Sequence, residues 1–561
     1  MAVKSVTNSR EVQMPEIEIN TTKHHYVQID NNDDDEQDHL IISSDYSRRK
    51  PTAYIQGSNK KERQQELECC VRLNRAARHN EWQIAQRIMS EHPRICNAAI
   101  TAQEETVLHI AAGAKKSGFV KRVVRLLDPK DLMLQDVKGN TAFCHAAAAG
   151  DLESVKVMMT KNKCLPFVRG GQRMTPLYMA SSFGRGEMAS FLYSLTEHVL
   201  QEGERKGIFF NCIHYGLFDL ALKMLEDHIS LAMARDVNEE TALHILARMP
   251  HAFCHRTKSF WNKSSSSHDK STNLTMDTQA LRLVRGIWRE VILHNYGDQN
   301  VLRKTIDTPS KLLFDAAQCG NSEFLFEILR SCPDLVWEAN EDNQTIFHVA
   351  CLNRHQRIFN HIHEIGLIKD VVTTFEDNGG NNILHLAATS PSSHKLNQKL
   401  GGKILFLRQE LLWFEAVKKI VQPTYMYKKN TEGLTPSDLF TKTHENMFKD
   451  GERWVKSTAK SCMFVSTLIA VAAFFVTFSI SEAVLNGKST THNNNIFTSE
   501  AAAVFSSLLS LLTFLSILST STFADMDFLI SIPFKLIVGL AMLFVSLTFM
   551  MVTTWEKLFV S

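Results

Sequence analysis

The sequence predicts an all-α protein in which a solenoid of helical repeats, arranged in two blocks, is followed by a C-terminal bundle of transmembrane helices. Two observations lead to this prediction. A short motif recurs about every 34 residues through the middle of the chain, and three long uncharged segments lie near its end. A chain of 561 residues is also too long for a single hydrophobic core, which favours a repeat array or several domains.

The first 64 residues are predicted to form a disordered acidic tail. Residues 30–38 read DNNDDDEQD, and few apolar residues surround them, so this segment buries too little surface to offset the entropy of ordering it. The first 20 residues are polar and lack the apolar core of a secretory signal, so we expect no cleaved leader. The 11 cysteines are scattered without Cys-x-x-Cys spacing, which is typical of reduced thiols in the cytosol.

The repeated motif starts with threonine or asparagine and continues with apolar residues, a histidine and alanine. Clear copies start at Thr106, Thr175, Thr241, Thr345 and Asn382. Weaker copies start near 71, 141, 207 and 311, and the starts from 71 to 241 are separated by 35, 35, 34, 32 and 34 residues. A period of about 33 with the pattern Thr-Pro-Leu-His-x-Ala is typical of ankyrin repeats. The threonine suits the N-cap of a first helix, where its hydroxyl accepts a backbone N–H that has no partner within the helix.

A second helix is expected in each repeat, because apolar residues recur at helical spacing in Phe119–Leu127, Leu152–Met159 and Glu323–Leu329. Paired alanines near the ends of the first helices, such as Ala111 and Ala112, are small enough for neighbouring helices to approach closely. These features predict stacked helix pairs.

Six segments follow from these patterns. Between the repeat blocks, Lys263–His268 is expected to be an exposed linker and Gln279–Leu293 a spacer helix, although the 70-residue gap equals two periods and leaves a decayed repeat as an alternative. The predicted segments are an acidic tail at 1–64, a first repeat block at 65–255, a linker with one helix at 256–305, a second repeat block at 306–400, a helical junction at 401–461 and a transmembrane domain at 462–561.

Three uncharged runs predict transmembrane helices at about 462–480, 501–523 and 536–555. They contain 19, 23 and 20 residues, which at about 1.5 Å per residue span about 28 to 35 Å and match a hydrocarbon core of about 30 Å. No acidic or basic residue lies inside these runs, which argues against a proton-coupled carrier or pump.

The charges that flank the runs predict the orientation of the chain. The loop at 481–500 contains Lys488 as its single lysine or arginine, whereas five basic residues precede the first run: Lys442, Lys449, Arg453, Lys456 and Lys460. Basic flanks stay on the cytoplasmic side, so the repeats should face the cytosol. We expect the plasma membrane rather than an endomembrane.

Hydroxyl side chains are frequent in the middle run, and Ser506, Ser510, Thr513 and Thr520 fall on one helical face. Small polar residues usually mediate close helix–helix packing in membranes. A hydrated pathway is the alternative interpretation of the same face.

The stretch between the repeats and the first run resembles a plant protein family. Residues 408–421 (RQELLWFEAVKKIV), 430–440 (NTEGLTPSDLF) and 451–462 (GERWVKSTAKSC) are similar to the junction of ankyrin proteins that carry a PGG membrane domain, of the accelerated-cell-death and salt-tolerance type. The resemblance implies an integral membrane protein tied to plant defence, cell-death control or stress signalling, with no established enzyme class. Two departures are visible: residues 479–483 read SISEA where the family usually has Pro-Gly-Gly, and the family commonly has a fourth span.

No catalytic, cofactor-binding or metal-ligating residue is predicted. His109, His244, His348 and His385 occupy equivalent positions in different repeats, whose helices stack about 8–10 Å apart, too far for one zinc ion with bonds of about 2.0 Å. We expect these histidines to be buried and hydrogen-bonded to the turns of their repeats. The sequence lacks glycine-rich phosphate loops and the Gly-x-Ser-x-Gly, His-Glu-x-x-His and Asp-His-His-Cys motifs, so we predict that the protein is not an enzyme.

Together these features predict a membrane-anchored scaffold or regulator that binds proteins through its cytosolic solenoid. The alternative is a channel or channel subunit whose pore is formed by oligomerised transmembrane helices, and homo-oligomerisation is left open. With 62 basic and 60 acidic residues the net charge is +2, which argues against a nucleic-acid partner. No small-molecule substrate or cofactor is expected.

Overall fold

The computed structural model describes residues 49–253, 278–294, 303, 305–363, 368–389, 400–485, 491–520 and 527–560. Within these residues the protein is helical, with isolated β-bridges and no strand, which confirms the predicted all-α class. Contacts divide the chain into two compact units: residues 1–246 with 274–309, and residues 247–273 with 310–561. The first 48 residues and the predicted linker segment Lys263–His268 lie outside the described residues.

Pairs of antiparallel helices follow one another in the first part of the chain, as the repeat period predicts. The predicted second helices near Phe119–Leu127 and Leu152–Met159 are confirmed, with ends that differ by one or two residues. The helices up to residue 294 are α1 (Lys60–His79), α2 (Trp82–Glu91), α3 (Val107–Gly113), α4 (Ser117–Leu126), α5 (Ala142–Ala149), α6 (Leu152–Lys161), α7 (Pro176–Ser182), α8 (Gly186–Thr196), α9 (Glu202–His214), α10 (Phe218–Asp227), α11 (Ala242–Ala247) and α12 (Gln279–His294).

The first helix of a repeat starts at its threonine. The Thr175 hydroxyl accepts a hydrogen bond from the backbone N of Tyr178 at 3.2 Å, which satisfies one of the N–H groups that the helix leaves unpaired. Pro176 occupies the first helical position, where its missing N–H costs nothing. The paired alanines Ala111 and Ala112 are fully buried, so neighbouring helices approach closely at these positions.

The predicted spacer helix is present as α12, and it packs against the first block. Its apolar face buries Leu283, Ile287 and Trp288, and α12 contacts α10. The approach is close, because a Cβ added to Gly286 would lie 3.2 Å from a methyl group of Leu225. The helix therefore covers the apolar surface of the last helix pair of this unit.

Ordered structure begins earlier than the predicted limit of the acidic tail at residue 64. The backbone carbonyl of Thr52 accepts a hydrogen bond from the N of Ala99 at 2.8 Å. Asn59 and Glu62 then form a reciprocal capping box that starts α1 at the next residue, Lys60. The prediction of a disordered segment is therefore wrong for residues 49–64.

Helix pairs continue in the second part of the chain and are followed by long helices. The predicted helix at Glu323–Leu329 is confirmed within a longer one. The helices from residue 312 onward are α13 (Leu312–Cys319), α14 (Ser322–Ser331), α15 (Ile346–Leu352), α16 (Gln356–Asn360), α17 (Ile368–Val372), α18 (Ile383–Ala388), α19 (Leu400–Lys418), α20 (Pro423–Met426), α21 (Pro436–Leu485), α22 (Thr491–Leu518) and α23 (Ile532–Val560).

The repeat pattern extends beyond the predicted limit at residue 400. Asn430 starts a turn in which its Oδ1 accepts a hydrogen bond from the N of Leu434 at 3.0 Å. Thr435 and Pro436 then start α21 with the same residue pair that starts α7. Because α21 continues for 50 residues to Leu485 without interruption, the first helix of the last repeat and the first apolar helix are one helix.

Three helices are long and apolar enough to cross a membrane: Pro436–Val476, Thr498–Leu518 and Asp527–Trp555. These ranges begin before the predicted runs, and the added residues include charged ones, such as Glu500 and Lys535. The predicted runs themselves remain free of acidic and basic residues.

The helix ends also differ from the predicted loops. Most of the predicted loop at 481–500 is helical, because α21 extends to Leu485 and α22 starts at Thr491. At its other end α22 stops at Leu518, before the predicted limit at 523. In this part of the chain α22 packs against both α21 and α23.

Candidate protein-binding surface and membrane junction

The histidines at equivalent repeat positions link each repeat to the next. Nδ1 of His109 lies 2.8 Å from the hydroxyl of Thr106 at the N-cap of its own helix, and Nε2 lies 3.1 Å from the carbonyl oxygen of Asn140 in the next turn. His348 makes the same two contacts, with Nε2 3.2 Å from the carbonyl oxygen of Phe375. In His385, Nδ1 lies 2.9 Å from the amide oxygen of the N-cap residue Asn382, and Nε2 lies 3.1 Å from the carbonyl oxygen of Leu434. All three are buried, so the prediction of buried, hydrogen-bonded histidines is confirmed for them.

Burial keeps these imidazoles neutral. It lowers the pKa of His109 to about 4, with a further contribution from the neighbouring His145, and it lowers the pKa of His348 to about 4. A neutral imidazole carries one N–H and one acceptor nitrogen. In His109 and His348 this fits an Nε2–H that donates to the carbonyl and an Nδ1 that accepts from the N-cap hydroxyl. Among the described residues, no group of three or more His, Cys, Asp or Glu side chains could hold a metal ion.

The turns between repeats are short hairpins that begin with Asp or Asn. In each hairpin a side-chain oxygen accepts the backbone N–H of the fourth residue on, at 2.8 to 3.0 Å, and the residues that provide it are Asp136, Asp236, Asn340, Asp377 and Asn430. Val137 and Val237, next to two of them, expose 44% and 65% of their surface. The hairpins thus hold apolar side chains in solvent on a backbone fixed by hydrogen bonds.

Two aromatic side chains are exposed where neighbouring first helices end. Phe183 follows α7 and Tyr215 follows α9, and they expose 59% and 55% of their surface. The Tyr215 ring covers Gly184, where an added Cβ would lie 3.1 Å from the ring and where φ is +64°, a conformation that favours glycine. Tyrosine and phenylalanine are enriched at protein–protein contacts, so this aromatic pair is the strongest candidate anchor for a partner in the first unit.

Comparison with known protein families agrees with this geometry. A family model of ankyrin repeats matches residues 108–203 in three copies, from within α3 to the start of α9. Residues 108–203 are ankyrin repeats. The same hairpin and histidine contacts recur outside the matched stretch, at His348 and His385. No curated protein matches the chain significantly.

A buried ion pair joins α15 and α18 to α19. Arg354 follows α15 with φ of +62°, and its Nη2 and Nε donate to Oε2 of Glu410 at 2.6 and 3.1 Å. The other guanidinium contacts are to the carbonyl oxygens of Cys351, Leu352, Ala387 and Thr389. Arg354 therefore holds the ends of α15 and α18 while it pairs with α19.

The same carboxylate faces α21. His444 is fully buried, with Nε2 3.6 Å from Oε2 of Glu410 and Nδ1 2.9 Å from the carbonyl oxygen of Phe440. The hydroxyl of the adjacent Thr443 donates to the last carbonyl of α18 at 2.6 Å. Burial opposes ionisation of Glu410, but the nearby His444 and Arg354 outweigh it and lower the pKa of this carboxyl. Glu410 thus connects the helix pairs of the second block, α19 and the helix that continues into the first apolar run.

In the apolar helices, hydroxyl groups mediate helix packing. The Ser510 hydroxyl donates to the carbonyl of Gly539 on α23 at 2.8 Å and lies 3.0 Å from the hydroxyl of Ser466 on α21. The Ser546 hydroxyl donates to the carbonyl of Ala503 on α22 at 2.8 Å. All three serines are fully buried, so the packing interpretation is confirmed for Ser510 of the predicted hydroxyl face.

Glu500 is a polar group of this bundle that sequence reasoning missed. It lies on α22 with 1% of its surface exposed, and one carboxylate oxygen accepts a hydrogen bond from the hydroxyl of Thr553 on α23 at 2.7 Å. The other oxygen has no hydrogen-bond partner in the described part of the chain. Ionisable residues among apolar helices usually face the bundle interior and pair with polar groups. The sequence feature that could have predicted this role is the position of Glu500 directly before the apolar run.

Proposed function

We propose that the protein is a non-enzymatic, membrane-anchored scaffold that binds other proteins through cytosolic ankyrin repeats. The observation that carries this proposal is the exposure of Phe183, Tyr215, Val137 and Val237 on hairpins and helix ends with a well-fixed backbone. Repeat solenoids supply extended binding surfaces. A few aromatic anchors usually contribute most of the binding free energy at such surfaces.

The apolar helices support a membrane location for this scaffold. Three helices meet the length and composition that a bilayer requires, and the first of them continues directly from the last repeat. A partner bound to the repeats is then confined to the membrane surface, which raises its effective concentration toward other membrane proteins. The basic residues ahead of the first apolar run support the cytosolic orientation.

The family resemblance of the junction supports a more specific role in plant defence or stress signalling at the plasma membrane. That role rests on residues 408–462 and their likeness to PGG-type ankyrin proteins. The packing of Ser466, Ser510 and Ser546 within one copy of the chain favours the scaffold over the channel alternative, because these hydroxyls are already occupied.

The aromatic anchors are tested by proximity labelling in living cells with a tagged full-length chain. We expect the Phe183→Ala/Tyr215→Ala variant to lose labelled partners by about tenfold, as the loss of hot-spot residues implies. The matched control is Val199→Ala/Ile229→Ala, which also removes two exposed apolar side chains of the first unit and should leave recovery unchanged. Equal recovery from both variants would defeat the proposal.

Membrane anchorage has a separate test. After extraction of membranes with alkaline carbonate, the full-length chain should stay with the lipid fraction, because three apolar helices are too hydrophobic to enter water. Release of the intact chain into the soluble fraction would exclude the anchor. Protease added to sealed vesicles should cleave the repeats from the cytosolic face alone.

A further inference from the structure

The helix α4 and the loop before it carry an uncompensated positive charge. Lys115, Lys116, Lys121, Arg122 and Arg125, here called the α4 basic patch, lie in a stretch that contains no acidic residue between Glu105 and Asp128. Lys115, Lys121, Arg122 and Arg125 are exposed and Lys116 is half-buried. None of the five forms an ion pair within the parts of the chain that the structure describes.

The three cations of the helix share one open face. Three, four and seven residues after Gly118 come Lys121, Arg122 and Arg125, a spacing that places them on the same side of the helix as Gly118. This side is open, because nothing lies within 4 Å of the position that a Cβ on Gly118 would occupy. The Arg122 guanidinium lies 5.4 Å from the centre of the Trp82 ring, a cation–π contact that orders it. The patch is therefore both accessible and partly preorganised.

The net charge of α4 is higher than that of the other second helices of this unit. α4 contains three basic residues and no acidic one, whereas α2, α6, α8 and α10 each contain at least one acidic residue, namely Glu91, Glu153, Glu187 and Asp219. The positive potential is thus a local property of α4 rather than a general property of the ankyrin repeats.

A segment of opposite charge precedes the repeats in the sequence. Residues 30–38 contain six acidic residues and no basic one. The chain is fixed to the repeats from Arg49, whose carbonyl accepts a hydrogen bond from Gln135 N at 2.9 Å. The eleven peptide steps from Asp38 to Arg49 allow a reach of about 36 to 40 Å, which exceeds the length of α4, about 15 Å for ten residues.

We propose that the α4 basic patch is the docking surface for the acidic segment at residues 30–38 of the same chain. Six negative charges face five positive ones, and a tether of only eleven peptide steps gives the segment an effective concentration of about a millimolar. Docking covers an exposed side of the ankyrin repeats and screens it from acidic partners. An acidic protein that binds there must displace the segment, so the segment acts as a built-in competitor.

Zero-length cross-linking tests the docking directly. The full-length chain is placed in nanodiscs of zwitterionic lipid, treated with a water-soluble carbodiimide and analysed by mass spectrometry. Amide links from the carboxylates of residues 30–38 should concentrate at Lys115, Lys116 and Lys121. Their yield should fall at least about fivefold between about 0.05 and 0.5 M salt, because the contact depends on unscreened charge.

Charge reversal supplies the matched comparison. Arg122→Glu/Arg125→Glu keeps all three reporting lysines and should lower the yield of these cross-links at least about fivefold, because it reverses two of the five charges. Lys206→Glu/Lys223→Glu makes the same net change elsewhere in the first unit and should leave the yield unchanged. Asp33→Asn/Asp34→Asn/Asp35→Asn in the segment should lower it as the arginine reversal does.

Three outcomes would overturn the proposal. Cross-links that spread over lysines in proportion to their exposure would show that the segment has no preferred site. Cross-links between isotopically distinct copies would make a second chain the occupant. Loss of the cross-links in nanodiscs that contain phosphatidylserine, together with protection of α4 from amide exchange, would make an anionic membrane the occupant instead.

Discussion

The two repeat blocks end in different ways. After the first block, α12 lays an apolar face on α10, and the largest side chain it buries is Trp288. After the second, α19 and α21 are held by Arg354, Glu410 and His444 as well as by apolar contacts. Apolar burial covers a surface without fixing a direction, whereas directional charged contacts are also suited to fix the direction of α21, the helix that continues into the first apolar run.

The largest expected effect tests the apolar end. Trp288→Ala removes a side chain that is 2% exposed. The free energy required to open α10 and α12 should fall by about 4 kcal/mol, because apolar burial is lost and a cavity is left behind. Amide exchange measured by mass spectrometry on the full-length chain in micelles reports this value. Leu293→Ala, on the same helix but 55% exposed, should change it by less than about 0.5 kcal/mol. Similar costs for both changes would show that α12 does not cover the block.

The charged end should respond to the loss of one charge. Glu410→Gln leaves the buried Arg354 and His444 without their carboxylate and should destabilise α19 and the start of α21 by about 3 kcal/mol. The control Glu415→Gln removes a carboxylate whose partner, Lys418, is partly exposed, so its cost should stay below about 0.5 kcal/mol. Exchange that rises in both variants alike would argue against a special role of the ion pair.

Acid should weaken the repeats that contain a buried histidine in both blocks. The pKa of His109 and of His348 is lowered to about 4 in the folded chain, below the unfolded value of about 6.5. The unfolded chain therefore binds protons that the folded chain does not, so this stability is complete above about pH 6.5 and is lost as the pH falls toward 4. At pH 5 the loss should be about 2 kcal/mol for each histidine.

The chain provides its own control for this pH effect. Cys144 takes the place of the histidine in α5, and its backbone N and sulfur are both 3.3 Å from the Thr141 hydroxyl. Amide exchange at pH 7 and pH 5, corrected for intrinsic rates, should show less weakening in α5 than in α3 and α15. A uniform change across all repeats would contradict the assignment to the histidines.

The smallest effect is expected where α21 meets α22 and α23. Ser510→Ala removes the hydrogen bond to Gly539 and should cost about 0.6 to 1 kcal/mol in micelles, as is usual for hydroxyl contacts between membrane helices. The control is Ser519→Ala, which removes a hydrogen bond from an exposed hydroxyl to a carbonyl of the same helix. This change should leave the free energy of unfolding unchanged. Unfolding by titration with a denaturing detergent gives both values.

Much of the helical architecture could be predicted from the sequence, because local signals specify it. Thr175 with Pro176 marks a helix start, and the second helices follow from apolar spacing. The start of α1 was missed, since its first turns are highly charged, although Asn59 and Glu62 carry the spacing of a capping box. Charge alone is thus a poor guide to where order begins.

Contacts between distant segments could not be predicted from the sequence. Arg354 and Glu410 lie 56 positions apart, and no local pattern brings them together. The continuity of α21 was missed for another reason: the turn after Asn430, the Thr435–Pro436 start and the apolar run were each visible, but only the packed structure shows that no break separates them. Glu500 was assigned to a loop because the apolar run starts one residue later.

The unbroken α21 has a consequence for how the repeats are presented. At about 1.5 Å per residue its 50 residues extend about 75 Å, more than twice the hydrocarbon thickness of about 30 Å. In a bilayer, any tilt of the apolar part of α21 would carry the start of the last repeat through the same angle, because both belong to one helix. Bilayer thickness would thereby influence how the last repeat is oriented.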